Sequence, residues 1–222
     1  MSYNDVRVLF FAKAPIAGLV KTRFIPQLGV DGALALHKQL IDLTWQRVTD
    51  GAQWPMELWV SESGREAWFA DMCPGQAMYV QQGEDLGQRM RHALTQALQR
   101  APYILVIGAD CVSLDTNYLN DAISRLRSGA SVVLGPAEDG GYVLLGVRHE
   151  VPAGLFEDVE WGSARVLEQT RSRLRAMSID WQELSPRWDV DVPGDLPRLA
   201  RLLTENAKTG DQIRQCVHVA AE

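Results

Sequence analysis

Short apolar runs alternate along the chain with segments whose apolar residues recur every three or four positions. A short continuous run predicts a strand buried on both faces, and the longer spacing predicts a helix with one apolar face. The runs predict strands at Val6–Phe11, Met56–Val60, Ala77–Val80, Tyr103–Ile107, Ser131–Leu134 and Tyr142–Val147, and a short edge strand at Ala176–Ile179. The periodic segments predict helices at Gly32–Val48, Arg65–Met72, Leu86–Gln99, Thr116–Arg127, Ser163–Arg175 and Leu196–Asn206. This alternation predicts an α/β fold, in which a mostly parallel sheet carries helices on both faces.

Nothing in the sequence divides this alternation into separate units. The chain has 222 residues, no internal repeat and no long tract rich in Pro, Gly or Ser. Its content of 46% hydrophobic and 23% charged residues is typical of a globular protein, and its length suits one large α/β domain. We therefore expect a single domain over residues 1–222.

The charge and the cysteines narrow the class of partner. A formal net charge of −6 and a pI near 5.3 argue against general binding of nucleic acid or of a membrane surface. No apolar stretch approaches the roughly 18 residues that a membrane span needs. Cys73, Cys111 and Cys216 form no CxxC pair and no metal-type spacing, which is typical of reduced chains. We expect a cytoplasmic protein, and the sequence leaves its oligomeric state open.

A basic loop follows the first predicted strand. It carries Lys13, Lys21 and Arg23 and little that would pack a core. Backbone N–H groups of a glycine-containing loop, together with such cations, can surround a pyrophosphate. The loop matches neither the P-loop nor the GxGxxG pattern, so the alternative is a solvated basic loop, but its position after the first strand favours ligand contact. The candidate phosphate contacts in this loop are Ala12, Lys13, Pro15, Gly18, Lys21 and Arg23.

A carboxylate follows the fourth predicted strand. Asp110 comes directly after a glycine and an alanine at the end of an apolar run. That position delivers it to the edge of the sheet where open parallel sheets bind ligands, and hard divalent cations prefer carboxylate and phosphate oxygens. The alternative is an aspartate that caps the following turn. We favour the metal ligand, and we expect the neighbouring Cys111 only to pack.

A second carboxylate lies in a glycine turn after the fifth predicted strand. Asp139 is followed by Gly140, Gly141 and Tyr142. Two glycines permit positive φ or a close approach of a ligand to the backbone, with a carboxylate and a phenol beside the gap. An Asp-Gly hairpin turn is the alternative, and both can hold together. We expect Asp139 to face a substrate hydroxyl and the other three residues to line the acceptor side.

Two carboxylates precede the last predicted helix. Asp189 and Asp191 alternate along an extended segment and therefore lie on one side of it, where they could reach a metal held by Asp110. The alternative is that Asp191 or Asp195 caps the helix.

Two weaker candidates come from helix starts. Arg89 lies in the first turn of a helix that Asp85 begins, where a cation is unfavourable to the helix dipole unless it has another purpose, such as a ligand. Trp161 could line an acceptor pocket or could pack against the sheet, and Ser163 after it is the simplest N-cap of the next helix. The four histidines form no metal or triad pattern, so none is assigned chemistry.

Several of these motifs together resemble a known family. The segments AKAPIAGLVKTRF, EDLGQRM, GADC, GPAEDGGYVLLG, WGS and DVDVPGDL, in this order, are similar to the radical-SAM/selenodomain-associated transferases of the first type, some of which are labelled glycosyltransferases of arsenosugar biosynthesis. The resemblance covers nearly the whole chain. It implies the nucleotide-diphospho-sugar transferase fold of the glycosyltransferase A type, which is shared with guanylyltransferases.

The resemblance also implies site roles. The first loop would bind nucleotide phosphates, and Asp110 would stand where a DxD-like site has its metal-binding carboxylate. Ala109 and Val112 depart from the Gly-Ser-Asp-Cys-Pro pattern that is usual in the family. Because no second aspartate lies at Val112, a companion ligand must come from elsewhere, and Asp191 is the first candidate.

Three functional hypotheses follow. The first is an enzyme that transfers a sugar from a nucleotide-diphospho-sugar to a small acceptor, with Mg²⁺ or Mn²⁺ bridging Asp110 and the diphosphate and Asp139 as the base. The second is nucleotidyl transfer from an NTP with release of pyrophosphate, because a triphosphate needs more cations than a diphosphate. The third is a non-catalytic module that binds sugar nucleotides.

Overall fold

The structure, a computed structural model, describes residues 3–61 and 66–205. Its strands are β1 (Val6–Ala12), β2 (Met56–Val60), β3 (Ala77–Val80), β4 (Tyr103–Gly108), β5 (Val132–Pro136), β6 (Tyr142–Arg148) and β7 (Trp181–Glu183). Its helices are α1 (Ile25–Thr49), α2 (Glu66–Met72), α3 (Leu86–Leu98), α4 (Thr116–Arg127), α5 (Val166–Ala176) and α6 (Leu196–Glu205). The predicted helix start at Arg65, the predicted helix end at Asn206 and the third cysteine, Cys216, lie outside the described residues.

All seven strands form one sheet in the order β3-β2-β1-β4-β6-β5-β7. Every neighbouring pair is parallel except the two that β6 makes with β4 and β5. The mostly parallel α/β sheet predicted from the sequence is confirmed. Because β6 runs opposite to its neighbours, the turn that joins β5 to β6 lies at the same sheet edge as the carboxyl ends of β1 and β4. The three segments with candidate chemistry therefore meet at one edge.

Successive residues of β1 pack into two separate cores. Val8 and Phe10 face a cluster that includes side chains of α1, α2 and α4. Leu9 and Phe11 face the opposite cluster, which includes side chains of α3 and α5. This period of two, with both faces apolar, is why the strands read as continuous apolar runs.

Helix α6 packs outside this sheet against α1. Leu199 and Leu203 join a third apolar cluster with Leu36 and Leu40 of α1, and Val190 completes the cluster beside them. Val190 lies between the two carboxylates of the last acidic segment. The packing of α6 therefore fixes that segment at the ligand edge.

The largest differences from the predicted boundaries concern α1 and the edge strand, and α5 begins at Val166 rather than at Ser163. Helix α1 begins at Ile25 rather than Gly32, with a non-helical Gly29 inside it (φ 70°), which is why the regular spacing starts only after that glycine. The predicted edge strand at Ala176–Ile179 is wrong: Ala176 ends α5, Ser178 turns with φ 54°, and the edge strand is Trp181–Glu183. The apolar residues of this run form the end of α5 and the turn after it, and not a strand. Within the described residues, no helix is long and apolar enough to cross a membrane.

Candidate active site

A cavity of about 310 Å³ opens at the carboxyl edge of β1 and β4. Its lining brings together side chains from the basic loop, from α1 and from the two acidic segments. The lining residues are Lys13, Leu19, Val20, Lys21, Thr22, Arg23, His37, Asp110 and Asp191. Of the predicted site residues, three cations and two carboxylates therefore share one cavity.

Buried side chains and hydrogen bonds hold the basic loop in place. Buried Ala14 and Val20 anchor it, and the backbone N–H of Ala14 donates to Ser61 Oγ (3.0 Å). Lys13 Nζ donates to the Leu19 carbonyl (2.7 Å), and Gly18 turns the chain with φ 78°. This segment therefore forms a tight turn, and its cationic side chains line the cavity. Ala12 ends β1 and is buried, and Pro15 lies in the turn.

Lys21 forms the electrostatic centre of the cavity. Its Nζ donates to Asp110 Oδ2 (2.9 Å) and to the Val190 carbonyl (2.6 Å), and it lies 3.7 Å from Asp191 Oδ1. Its side chain is only 5% exposed. Burial alone would lower the pKa of Lys21, but the charge and hydrogen bond of Asp110 and the charge of Asp191 outweigh it and raise that pKa. The backbone of Lys21 is left-handed (φ 46°), a costly conformation that these contacts maintain.

The carboxylates around Lys21 differ in how they are paired. The side chain of Asp110 is partly buried, with 39% of it exposed. Burial alone would raise the pKa of Asp110, but the charge and hydrogen bond of Lys21 lower that pKa below its usual range. Asp191 accepts a hydrogen bond from Arg23 and lies beside Lys21, so its charge is compensated. Asp195, and not Asp191, caps the turn before α6. Its Oδ2 accepts the backbone N–H groups of Asp191 and Val192.

Asp189 carries uncompensated negative charge. Burial raises its pKa to about 6, and the charges of Asp110 and Asp139 add to that shift. The carboxylates of three separate segments therefore act on one another across the crevice. Lys21 opposes the shift only in part. A polar edge with more acid than base is favourable for a bound cation.

Replacing Asp189 by asparagine is expected to stabilise the metal-free protein at neutral pH. The pKa of Asp189 is about 6 when folded and about 3.9 when unfolded, so its contribution is fully present below pH ~4 and is lost as the pH rises through ~6. We expect the melting temperature of Asp189→Asn to exceed that of the wild type at pH 7.5 and to match it at pH 4. A difference that does not change between these two pH values would contradict the charge arrangement.

His37 is a site residue that the sequence did not reveal. It is buried on α1, and its Nε2 donates to the Lys13 carbonyl (2.9 Å), because that oxygen can only accept. Burial lowers the pKa of His37, which keeps the ring neutral. The imidazole therefore holds the basic loop from beneath. The signal available was its spacing, which places His37 on the same face of α1 as the buried Leu40, Ile41 and Thr44.

The glycine turn combines a hairpin and an exposed carboxylate. Asp139 Oδ1 accepts the backbone N–H of Gly141 (2.9 Å), so one oxygen closes the β5–β6 turn. The space beside Gly140 (φ 93°) is filled by Ala164, whose carbonyl would lie 2.2 Å from an added Cβ. The close approach that this glycine permits is therefore made by the chain itself. The exposed carboxylate of Asp139 remains at the crevice.

The aromatic candidates lie together beside α3. The rings of Tyr142 and Trp161 meet edge to face, 6.4 Å apart, and Trp161 covers Gly87, where an added Cβ would lie 2.6 Å from the indole. Burial raises the pKa of Tyr142. Neither ring is among the residues that line the cavity. Ser163 Oγ accepts the N–H of Arg165 and does not cap α5.

Arg89 is not brought into the cavity. Its Nε donates to the Gly83 carbonyl (3.0 Å), so it holds the loop before α3. Asp85 is the N-cap of that helix, as predicted, and accepts the backbone N–H of Gln88 (2.7 Å). Cys111 is buried and donates to the Trp188 carbonyl, and burial raises its pKa to about 12, as expected for a packing residue.

The chain matches known proteins in both sequence and structure. Residues 44–163 match the family model described as "Uncharacterized protein conserved in bacteria (DUF2064)". Among curated protein sequences, none gives a significant match. The structure of a "putative nucleotide-diphospho-sugar transferase" from Desulfovibrio desulfuricans G20 is similar, with a TM-score of 0.88, 26% identity, and coverage of 98% of this chain and 97% of that one.

More distant structures share the fold. A cytidylyltransferase from Leptospira borgpetersenii serovar Hardjo-bovis gives a TM-score of 0.61 at 11% identity, with 97% of this chain and 93% of that one covered. A CMP:2-keto-3-deoxy-manno-octonic acid synthetase in complex with CTP gives 0.59 at 11% identity, with 90% and 99% covered. At this identity the likeness concerns the fold alone.

Proposed function

Because the chain belongs to the DUF2064 family and gathers cations and carboxylates in one cavity, we propose that it transfers a sugar from a nucleotide-diphospho-sugar to a small acceptor. The likeness at 26% identity to the putative nucleotide-diphospho-sugar transferase supports an enzyme of the nucleotide-dependent transferase class, and the more distant structures support the same fold. That class disfavours the non-catalytic binding module. The association with radical-SAM proteins that the sequence resemblance suggested belongs to the same proposal.

The cavity itself carries this proposal. Lys13, Lys21 and Arg23 line it together with Asp110 and Asp191, and Lys21 and Arg23 are ion-paired with these carboxylates. A diphosphate needs cations and N–H donors, and a metal that bridges it needs carboxylates, so one cavity supplies both. Its volume of about 310 Å³ is at the lower end of the range for small-molecule sites.

The carboxylates fit Mg²⁺ or Mn²⁺ held jointly with a nucleotide. Among the described residues, no three His, Cys, Asp or Glu side chains are gathered closely enough to hold a metal ion alone. Mg²⁺ is usually bound by one or two carboxylates together with substrate phosphates, so a complete protein cluster is not required. Asp110 would hold the metal with a companion carboxylate. Asp191 is already compensated by two cations. In contrast, burial and then the charges of Asp110 and Asp139 raise the pKa of Asp189. A cation beside Asp189 would relieve that repulsion, which favours Asp189 as the companion.

Each remaining residue has a role that its contacts support. A bound metal would supply Lewis-acid stabilisation of the departing diphosphate. Lys21 and Arg23 would bind the same phosphate oxygens, where negative charge accumulates as the glycosidic bond breaks. Asp139 would accept the proton of the acceptor hydroxyl through the oxygen that does not close the turn. Tyr142 and Trp161 would form the acceptor wall.

Nucleotidyl transfer is the second candidate. The three cations of the cavity suit a triphosphate, and the cytidylyltransferase likeness shows that this fold occurs in enzymes of that name. Both reactions would use the same loop and the same metal, so the products distinguish them and the site does not.

A thermal-shift screen tests the proposal. In separate samples that all contain Mn²⁺, the protein is mixed with UDP-, GDP- and ADP-sugars and with each of the four NTPs. A ligand at 100-fold its Kd stabilises by about 2.7 kcal/mol, which corresponds to a rise of about 5–10 °C for a chain of this size. We expect the rise with a sugar nucleotide. A rise with an NTP alone, followed by pyrophosphate release, would favour the second candidate, and no response to either would contradict both.

Lys21→Ala and Arg23→Ala are each expected to weaken binding of the nucleoside diphosphate by about 1–3 kcal/mol, the range for a lost charge-assisted hydrogen bond. Binding of the free nucleoside should not change, because it has no phosphate. Calorimetry with the two ligands checks this. Arg91→Ala, which removes a partly exposed arginine of α3 that does not line the cavity, is the control. Equal losses for nucleoside and diphosphate would show that these side chains do not touch phosphate.

A further inference from the structure

A buried serine ties two acidic segments together. Ser113 Oγ donates to the Trp188 carbonyl (2.6 Å) and accepts the Trp188 N–H (3.1 Å), so one hydroxyl bonds both backbone groups of one residue. Cys111 Sγ donates to the same carbonyl (3.2 Å). Ser113 follows Asp110 closely in sequence, and Trp188 directly precedes Asp189. The bonds therefore fix the segment of one carboxylate against the segment of the other.

An arginine of α6 extends this connection to the glycine turn. Arg198 donates two hydrogen bonds to Glu138 (2.7 and 2.9 Å), and its guanidinium lies 4.5 Å from the centre of the Trp188 ring. The Glu138 N–H donates to the Arg187 carbonyl (3.0 Å). Glu138 directly precedes Asp139. A single side chain thus contacts the neighbours of two crevice carboxylates.

We propose that Ser113 and Arg198 are positioning residues, which form with Trp188 and Glu138 a brace that sets the mutual positions of the three crevice carboxylates. These are Asp110, Asp139 and Asp189. The inference rests on the proposed function for its catalytic consequence but not for its structural one. None of the four brace residues is among those that line the cavity, so the brace acts through the segments it joins.

The geometry of the brace suits positioning better than stability. The side chains of Arg198 and Glu138 are 47% and 51% exposed, and an ion pair at the surface adds little to the free energy of folding. A bidentate pair stacked on an aromatic ring nevertheless fixes orientation. Catalytic groups must be held within a fraction of an ångström, and a displacement of about 1 Å can lower turnover 100-fold.

Hydrogen exchange tests the brace without any ligand. Ser113→Ala and Arg198→Gln are each expected to speed amide exchange about tenfold in peptides covering residues 138–141 and 187–191, because these segments lose their cross-connection. The controls are Thr170→Val, which removes another buried hydroxyl bond, and Arg171→Gln, which removes the bidentate pair with Glu183 in α5 and β7. Neither control should alter exchange in the two segments. Unchanged exchange in both brace variants would overturn the proposal.

Metal affinity and turnover test the catalytic consequence. With the nucleoside diphosphate that stabilises the wild type, Ser113→Ala should weaken Mn²⁺ binding, measured by electron paramagnetic resonance, about tenfold. Arg198→Gln should lower donor hydrolysis about tenfold in the wild-type background and have a clearly smaller effect in Asp139→Asn, since part of its action passes through that turn. An equal tenfold loss in the Asp139→Asn background would overturn the positioning role. If the wild type binds no nucleotide while the exchange result holds, the proposed function fails and the brace stands.

Discussion

Asp139→Asn is expected to lower turnover by roughly 10²–10⁴ while donor affinity stays within a factor of about two. A positioned general base contributes this much to rate, and it touches the acceptor rather than the donor. The substitution keeps the oxygen that accepts the Gly141 N–H, so the hairpin turn should survive it. Donor affinity is measurable by calorimetry, and donor hydrolysis can replace transfer until an acceptor is found.

The matched control removes an exposed carboxylate outside the candidate site. Asp121→Asn takes away an exposed charge that pairs with Arg125 on α4, and it should change neither affinity nor rate. If Asp139→Asn loses donor and metal binding outright, Asp139 is a ligand of the donor or metal. The base would then be sought at Asp189, because burial raises its pKa to about 6, which makes it a stronger base than an ordinary aspartate.

Asp110→Asn is expected to abolish the metal-dependent part of nucleotide binding. The amide keeps the shape of the side chain but removes the charge that a hard cation needs. A fall in melting temperature is expected as well, because Lys21, only 5% exposed, loses its closest carboxylate. Lys21 still donates to the Val190 carbonyl and still lies beside Asp191, which limits the fall in melting temperature.

Calorimetry with and without Mn²⁺ separates the two effects. The wild type should bind the nucleoside diphosphate more tightly with Mn²⁺, and Asp110→Asn should bind it equally in both conditions. Asp191→Asn is the matched comparison, since it removes another carboxylate that faces Lys21. A variant at Asp110 that retains the full effect of Mn²⁺ would show that Asp110 serves only the Lys21 ion pair.

The sequence predicts most of this fold because the sheet is buried on both faces. Each central strand is apolar at nearly every position, with Arg7 in β1 and Glu57 in β2 as exceptions, so its run stands out from the helical periodicity around it. The edge strand is different: Trp181–Glu183 is short and half-exposed, and its composition carries no such signal. The apolar residues just before it, Met177 and Ile179, belong to the end of α5 and its turn, which local pattern could not distinguish from a strand.

The site is predictable in its parts but not in its pairings. Strand ends point to Asp110 and the basic loop points to Lys21, yet nothing local shows that these two side chains bond across 89 positions. The same holds for Ser113 and Trp188, which meet only because α6 and the chain before it return to the ligand edge. Chemistry that depends on one residue type at one place is visible in sequence. Charge balance between distant segments requires the fold.

Product analysis is the most direct test of sugar transfer. The wild-type protein is incubated with Mn²⁺ and each nucleotide-diphospho-sugar or NTP, and the nucleotides are separated by anion-exchange chromatography. We predict that the wild type releases a nucleoside diphosphate from one sugar nucleotide and releases no pyrophosphate from any NTP. We predict that Asp110→Asn does not release the nucleoside diphosphate. Pyrophosphate released from an NTP, with every sugar nucleotide left intact, would contradict the account.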